Sequence, residues 1–235
     1  MNSQKEFNQV ILTTAIFGIL TFALVPVTVG LYFIYEEPPV WNVLARALIS
    51  ILSLLFTVVF FTGFLYTTKK LTKDYYWLLT LMFALVCIWT ATAFVAHSLE
   101  AGGVLNPKGI SPDPTQEGIL AQGNYLLYGS IGRVLMTAFM FLIFFITIKT
   151  KIFPKWTAWL ALSIAVVNAF FIPSMFFGTN AADFYSAIGW GNSAVSASLF
   201  TIWMLAVSIT MLVKRRALNR YVTDGEKKTE KAAAK

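Results

Sequence analysis

Residues 41–66 read WNVLARALISILSLLFTVVFFTGFLY, and Thr67-Thr68-Lys69-Lys70 follow at once. The stretch is longer than the roughly 20 apolar residues a helix needs to cross ~30 Å of hydrocarbon. It opens on an amphipathic ring, Trp41, and closes on Tyr66 and a basic flank. It lacks the strict alternation and ~10-residue length of a barrel strand. It therefore reads as a transmembrane helix. Outward from it, the same pattern recurs over Val10–Tyr35, Tyr75–Ser98, Gly123–Ile148, Trp156–Phe176 and Tyr185–Val213. The first of these exceeds the 7–15 apolar residues of a signal-peptide core, so it reads as a retained helix, with Pro26 a kink position. The expected fold is all-α: a six-span transmembrane bundle over residues 1–216 and a flexible basic tail over 217–235.

Composition agrees. Of 235 residues, 57% are hydrophobic and 12% charged, against about 25% charged in soluble domains; the mean hydropathy is +0.70. So little charge cannot coat a globule in water. Phe is abundant, with 21 copies, but suits lipid-facing and inter-helix surfaces alike.

Direction follows from the basic residues. One set of span ends carries Lys5, Lys69, Lys70, Lys73, Lys149, Lys151, Lys155, Lys214, Arg215, Arg216 and Arg220, whereas the opposite loops carry Lys108 alone. Cytoplasmic flanks are enriched in Lys and Arg, so both termini are expected in the cytoplasm. The opposite loops hold Glu36, Glu37, Glu100, Asp113, Glu117 and Asp183. Aromatic rings that favour the headgroup level mark the same boundaries: Tyr75, Tyr76, Trp77, Trp156 and Trp159 inside, and Tyr32, Tyr35, Trp41, Tyr125, Tyr128, Tyr185 and Trp190 outside. One long outer connection, residues 99–121, is rich in Gly and Pro; connections of this length are lids or simply mobile. The lysine-rich tail is expected to be solvated, near anionic lipid heads, and to help set orientation.

The segment 153–160, FPKWTAWL, opens the fifth span, and 202–209, IWMLAVSI, precedes the basic stop Lys214-Arg215-Arg216. Across roughly residues 123–216 this arrangement resembles a broad group of uncharacterised bacterial six-helix membrane proteins. The resemblance implies a multi-pass protein of the bacterial inner (plasma) membrane, and it implies no activity and no site. Helix-entry prolines and interfacial tryptophans also arise from physics alone.

Ionisable groups inside a membrane are costly, about 2.5–3.5 kcal/mol or more for Arg at a helix centre, and mark sites or structural pairs. Arg133 lies ten residues into the expected fourth span, about 15 Å deep, among the small or hydroxylated Gly129, Ser130 and Thr137. Arg46 sits about one turn into the second span. His97 and Glu100 share a face at the end of the third. Asn168 lies past the middle of the fifth, and Asn192 borders a stripe of Ser186, Gly189, Ser193 and Ser196 on the sixth. All fall in the outer half of the membrane, while the inner half is nearly apolar. Arg46, His97, Glu100, Arg133, Asn168 and Asn192 are the candidate ligand-binding residues of one outer-half pocket, its two arginines favouring an anionic group.

Other readings of the same residues stay open. Arg133 paired with Glu100, Glu117 or Asp183 locks the bundle without binding anything. Arg46 alone is a snorkelling interfacial residue. Trp89 and Trp203 are bulk of the core or the lipid face, or a stacking platform for a ligand.

Known chemistry is sparse. The sequence has no Walker-type phosphate loop, dinucleotide fingerprint, nucleophile elbow or zinc-protease motif. One histidine, His97, and one cysteine, Cys87, exclude bis-histidine haem ligation and thiolate clusters within one chain. No cofactor, no metal site and no catalytic residue is assigned. The net charge of +7 resides in topology-setting residues, so no nucleic-acid partner is expected. The expected partners are the lipid bilayer, a lipid or amphiphilic ligand and a partner membrane subunit. The function read from the sequence is a binding or accessory protein holding an amphiphile, lipid head or anionic group. The alternatives are a small-molecule transporter, a membrane-embedded enzyme using His97 and Glu100, and a structural subunit of a membrane complex.

Overall fold

The computed structural model describes residues 3–35, 38–72, 74–105, 126–178, 180, 183–187 and 189–233. Helix α1 spans Ser3–Phe33, α2 Val40–Leu71 and α3 Tyr76–Val104. A π-helical turn, Leu127–Ile131, leads into α4, Gly132–Thr150. Helix α5, Lys155–Phe171, tightens into a 3-10 segment, Ile172–Phe177. A second π-helical turn, Gly191–Val195, leads into α6, Ser196–Ala233. Each of the six helical units contains a segment long and apolar enough to cross a membrane. The chain is thus an all-α, six-span integral membrane protein, with no strand among the described residues.

Local chemistry sets several helix boundaries. Pro39 and Pro154 immediately precede α2 and α5; proline supplies no N–H, and the first turn of a helix has no use for one. Lys151 closes α4 in the left-handed region, φ 55°, its N–H donating to the Thr147 carbonyl at 3.0 Å. Most of the loop expected over 99–121 lies outside the described residues, as do Lys108, Asp113, Glu117 and Tyr125; its first residues instead complete the last turn of α3. The helical backbone continues through 217–233, the stretch expected as a flexible tail.

The sixth span begins later than composition suggests. The fourth and sixth candidate spans run Gly129–Thr150 and Gly191–Asn219. Residues 183–187 are bent chain, so Ser186 and Gly189 do not share a helix face with Ser193 and Ser196.

The helices form a ring in which each packs on the next in sequence and α6 returns to α1. Neighbours are antiparallel: Tyr75 beside α3 meets Phe145 near the end of α4, and Asn8 of α1 meets Arg215 of α6. Every other helix end therefore gathers at one end of the bundle. The end bearing Lys5, Lys69, Lys149 and Arg215 is here called the basic end. The other carries Tyr32, Arg46, Glu100, Arg133 and Asn192.

Lipid tails are as apolar as leucine, so packing rather than water exclusion holds such a ring together. The middle is filled by rings: Phe61 lies parallel to Phe200 and Trp203, both 6.1 Å away, and Phe139 and Trp89 meet Phe200 edge-on at 5.9 and 5.4 Å. Trp89 and Trp203 are therefore core. The indole N–H of Trp203 donates to the Thr157 carbonyl at 3.1 Å, which satisfies its one polar atom in the buried site. Buried Thr14, Thr21, Thr57 and Thr90 donate to carbonyls four residues back, so their hydroxyls need no partner helix. The α1–α2 approach depends on Gly63, where a Cβ would stand 1.7 Å from Thr14 Oγ1.

Candidate functional site

The six candidate residues gather at the same end of the bundle, in two separate clusters of three. Arg133, Asn168 and Asn192 meet between α4, α5 and α6. Arg46, His97 and Glu100 meet between α2 and α3, with Tyr32 of α1.

The first cluster is closed. Arg133 is 2% exposed. Its Nε donates to Asn192 Oδ1 at 2.8 Å, and its Nη1 donates to Ser196 Oγ at 2.6 Å and Asn168 Oδ1 at 3.3 Å. The Ser196 hydroxyl in turn donates a hydrogen bond to Asn168 Oδ1 at 2.6 Å. The two amide groups face outward from the guanidinium in a consistent sense. Asn168 Nδ2 donates to the Ile164 carbonyl at 2.8 Å, and Asn192 Nδ2 donates to Ser174 Oγ at 3.0 Å and to the Ala187 carbonyl at 2.9 Å. The bonds carry the guanidinium charge into neutral dipoles that are themselves anchored to backbone, as a buried cation requires.

The three helical units around Arg133 all depart from α geometry at this level: π turns before α4 and α6, and the 3-10 segment after α5. Inside the first π turn Gly129 takes φ −74° and ψ −109°, and a Cβ there would meet the Ala187 carbonyl oxygen at 2.6 Å. The glycine lets the 183–187 bend press against α4 and bring Asn192 onto Arg133. Of the acids expected beside Arg133, Glu100 faces Arg46 and His97, Asp183 accepts from Asn180 Nδ2 at 3.2 Å, and Glu117 lies outside the described residues.

The second cluster is looser and more open. Arg46 is buried, its guanidinium carbon 3.9 Å from the centre of the Tyr32 ring. Arg46 Nη2 stands 3.8 Å from Glu100 Oε1, His97 Nδ1 stands 3.3 Å from Glu100 Oε2, and the Tyr32 hydroxyl donates to Glu100 Oε1 at 3.4 Å. These distances exceed those of charge-assisted hydrogen bonds, 2.7–2.9 Å. The Glu100 side chain retains 24% exposure. One turn before Arg46 on α2, Asn42 donates from Nδ2 to the Leu31 carbonyl at 3.1 Å. Asn42 Oδ1 and Arg46 Nε are both buried, and neither has a hydrogen-bond partner among the described residues. An acceptor and a donor left bare, i and i+4 on one helix face, mark a place where a polar group belongs.

The sequence singled out the charged members of both clusters and the two asparagines of the first, but not Asn42 or Ser174, and it placed Tyr32 only as a boundary ring. Asn42 had a usable signal, its i,i+4 spacing from Arg46. Ser174 had none, because the 3-10 tightening that turns it inward is a tertiary effect. Among the described residues no group of three or more His, Cys, Asp or Glu side chains is placed to hold a metal ion. Compared with known proteins, the chain matches no family model, no curated protein and no solved structure.

Proposed function

We propose that this protein is a binding protein of the bacterial inner membrane, with both termini in the cytoplasm, that holds the head of an amphiphile at Arg46, His97 and Glu100. The observation that carries the reading is the pair of buried, unbonded atoms Arg46 Nε and Asn42 Oδ1 beside a half-buried Glu100. Leaving such atoms bare costs about 1–3 kcal/mol each, and a ligand oxygen at Arg46 with a ligand donor at Asn42 recovers it. The Arg133 guanidinium, by contrast, is already bonded at 2.6–3.3 Å to three anchored side-chain oxygens and ties α4–α6 together. Orientation is supported by the positive-inside distribution, and the bacterial inner membrane by the resemblance of residues 123–216.

The aromatic filling speaks against a transport path. Phe200 follows Ser196 by one turn, and Phe139 follows Arg133 by six residues, about 9 Å, so packed rings separate the polar end from the basic end.

The test is native mass spectrometry of gently extracted protein against a panel of lipids and acyl amphiphiles. Wild-type protein is expected to retain a species that Arg46→Gln retains at least about tenfold less, the effect of removing one charge-assisted contact. Equal retention across the panel by both proteins overturns the reading. A second reading rests on the 3.3 Å approach of His97 to Glu100, which suits a general acid–base pair acting on a membrane substrate. Turnover that survives His97→Ala combined with Glu100→Gln dismisses it.

A further inference from the structure

At the basic end, where the first helix meets the last, a cleft of about 270 Å³ is lined by Gln4, Lys5, Asn8 and Asn219. Its polar residues are organised rather than scattered. Arg215 Nε donates to Asn8 Oδ1, and Asn219 Nδ2 donates to the same oxygen at 3.0 Å. One asparagine thus holds the guanidinium of α6 against α1 through Nε. The acid nearest in sequence is turned away: Glu6 accepts from the Tyr66 hydroxyl of α2 at 3.3 Å. The cleft combines Lys5 with amide side chains, and Arg215 is held beside it through Asn8, just beyond an apolar seam between two membrane-spanning helices. Basic pockets between transmembrane helices at the cytoplasmic surface suit phospholipid head groups.

We infer that this cleft binds the phosphate of an anionic phospholipid from the leaflet at the basic end, with Lys5 and Arg215 taking the phosphate oxygens and Gln4 and Asn219 the glycerol side of the head. The site lies at the opposite end of the bundle from Arg46 and is independent of any ligand there. Asn8 acts as a positioning residue: it accepts from Arg215 and fixes where the guanidinium stands.

The test uses the full-length protein in detergent, titrated with phosphatidylglycerol or phosphatidylcholine of identical chains and read by native mass spectrometry. Wild-type protein is expected to bind the first phosphatidylglycerol in clear preference to phosphatidylcholine. Arg215→Gln is expected to reduce that binding about fivefold, the effect of one basic residue near a lipid phosphate. Asn8→Asp keeps an acceptor for Arg215, and so keeps the helices tied, but places a carboxylate in the cleft. It is expected to abolish the preference while the thermal midpoint is maintained, and it serves as the readout if Arg215→Gln fails to fold. Preference that survives both variants, or equal binding of the two lipids by wild type, overturns the inference. Displacement of the bound lipid by millimolar inorganic phosphate also overturns it, assigning the cleft to a soluble anion. Loss of the species retained at Arg46, with phosphatidylglycerol preference intact, bears on the other end alone.

Discussion

Arg133 and Arg46 are both buried guanidinium groups at one end of the bundle, and they solve the same electrostatic problem differently. Arg133 has three neutral oxygens at 2.6–3.3 Å, each anchored in turn. Truncating it leaves buried acceptors bare, at about 1–3 kcal/mol each. Arg133→Ala is therefore expected to lower the thermal unfolding midpoint of detergent-solubilised protein well below wild type. Arg133→Lys should fall between, because an ammonium cannot reproduce a planar fork. Three equal midpoints would show that the network contributes no stability. Arg46 has one long ion pair and a ring face, so Arg46→Gln should alter ligand retention far more than the unfolding midpoint.

The Arg133 cluster also depends on how its helices start and stop. A π turn carries one extra residue per turn, and such turns recur at functional sites. Here they re-aim the entries of α4 and α6 so that Arg133 and Asn192 meet. Gly129 permits this by bringing α4 against the Ala187 carbonyl. Gly129→Ala is expected to destabilise by about 1–3 kcal/mol, since the obstacle is backbone rather than a side chain that can swing aside. The control is Gly30→Ala in α1, where a Cβ meets nothing within 4 Å. That change should be neutral or slightly stabilising through helix propensity. Comparable losses in both variants, followed by thermal or denaturant unfolding, would refute the close-approach argument. By the same logic Gly63→Leu should weaken the α1–α2 contact.

For the molecule as a whole, the ring places polar clusters at one end, an aromatic filling in the middle and a cationic rim at the other end. In a Cys87→Ser background, Asp183→Cys is expected to react with a membrane-impermeant maleimide added to intact cells. Lys151→Cys should react only after permeabilisation. The reverse pattern would invert the proposed orientation and reassign the two ends to opposite compartments.

The six spans were legible in the sequence because solvation by hydrocarbon is a local requirement: each apolar run must satisfy it alone, so composition and length suffice for Trp41–Tyr66 and its five counterparts. The gathering of Arg46, His97, Glu100, Arg133, Asn168 and Asn192 at one end was legible too, since antiparallel spans convert sequence position into depth. Their division into two clusters was not. Asn168 and Asn192 could equally have faced Arg46 across the bundle until the ring order of helices was known. The entry of the sixth span differs from the expected Tyr185 because residues 185–187 are apolar enough to extend a helix, whereas in the fold they are bent chain packed against Gly129, Phe170 and Phe171. Composition is a sum over neighbours in the chain and fixes depth and fold class. Partner choice depends on which helix faces which, and packing between residues far apart in sequence decided it.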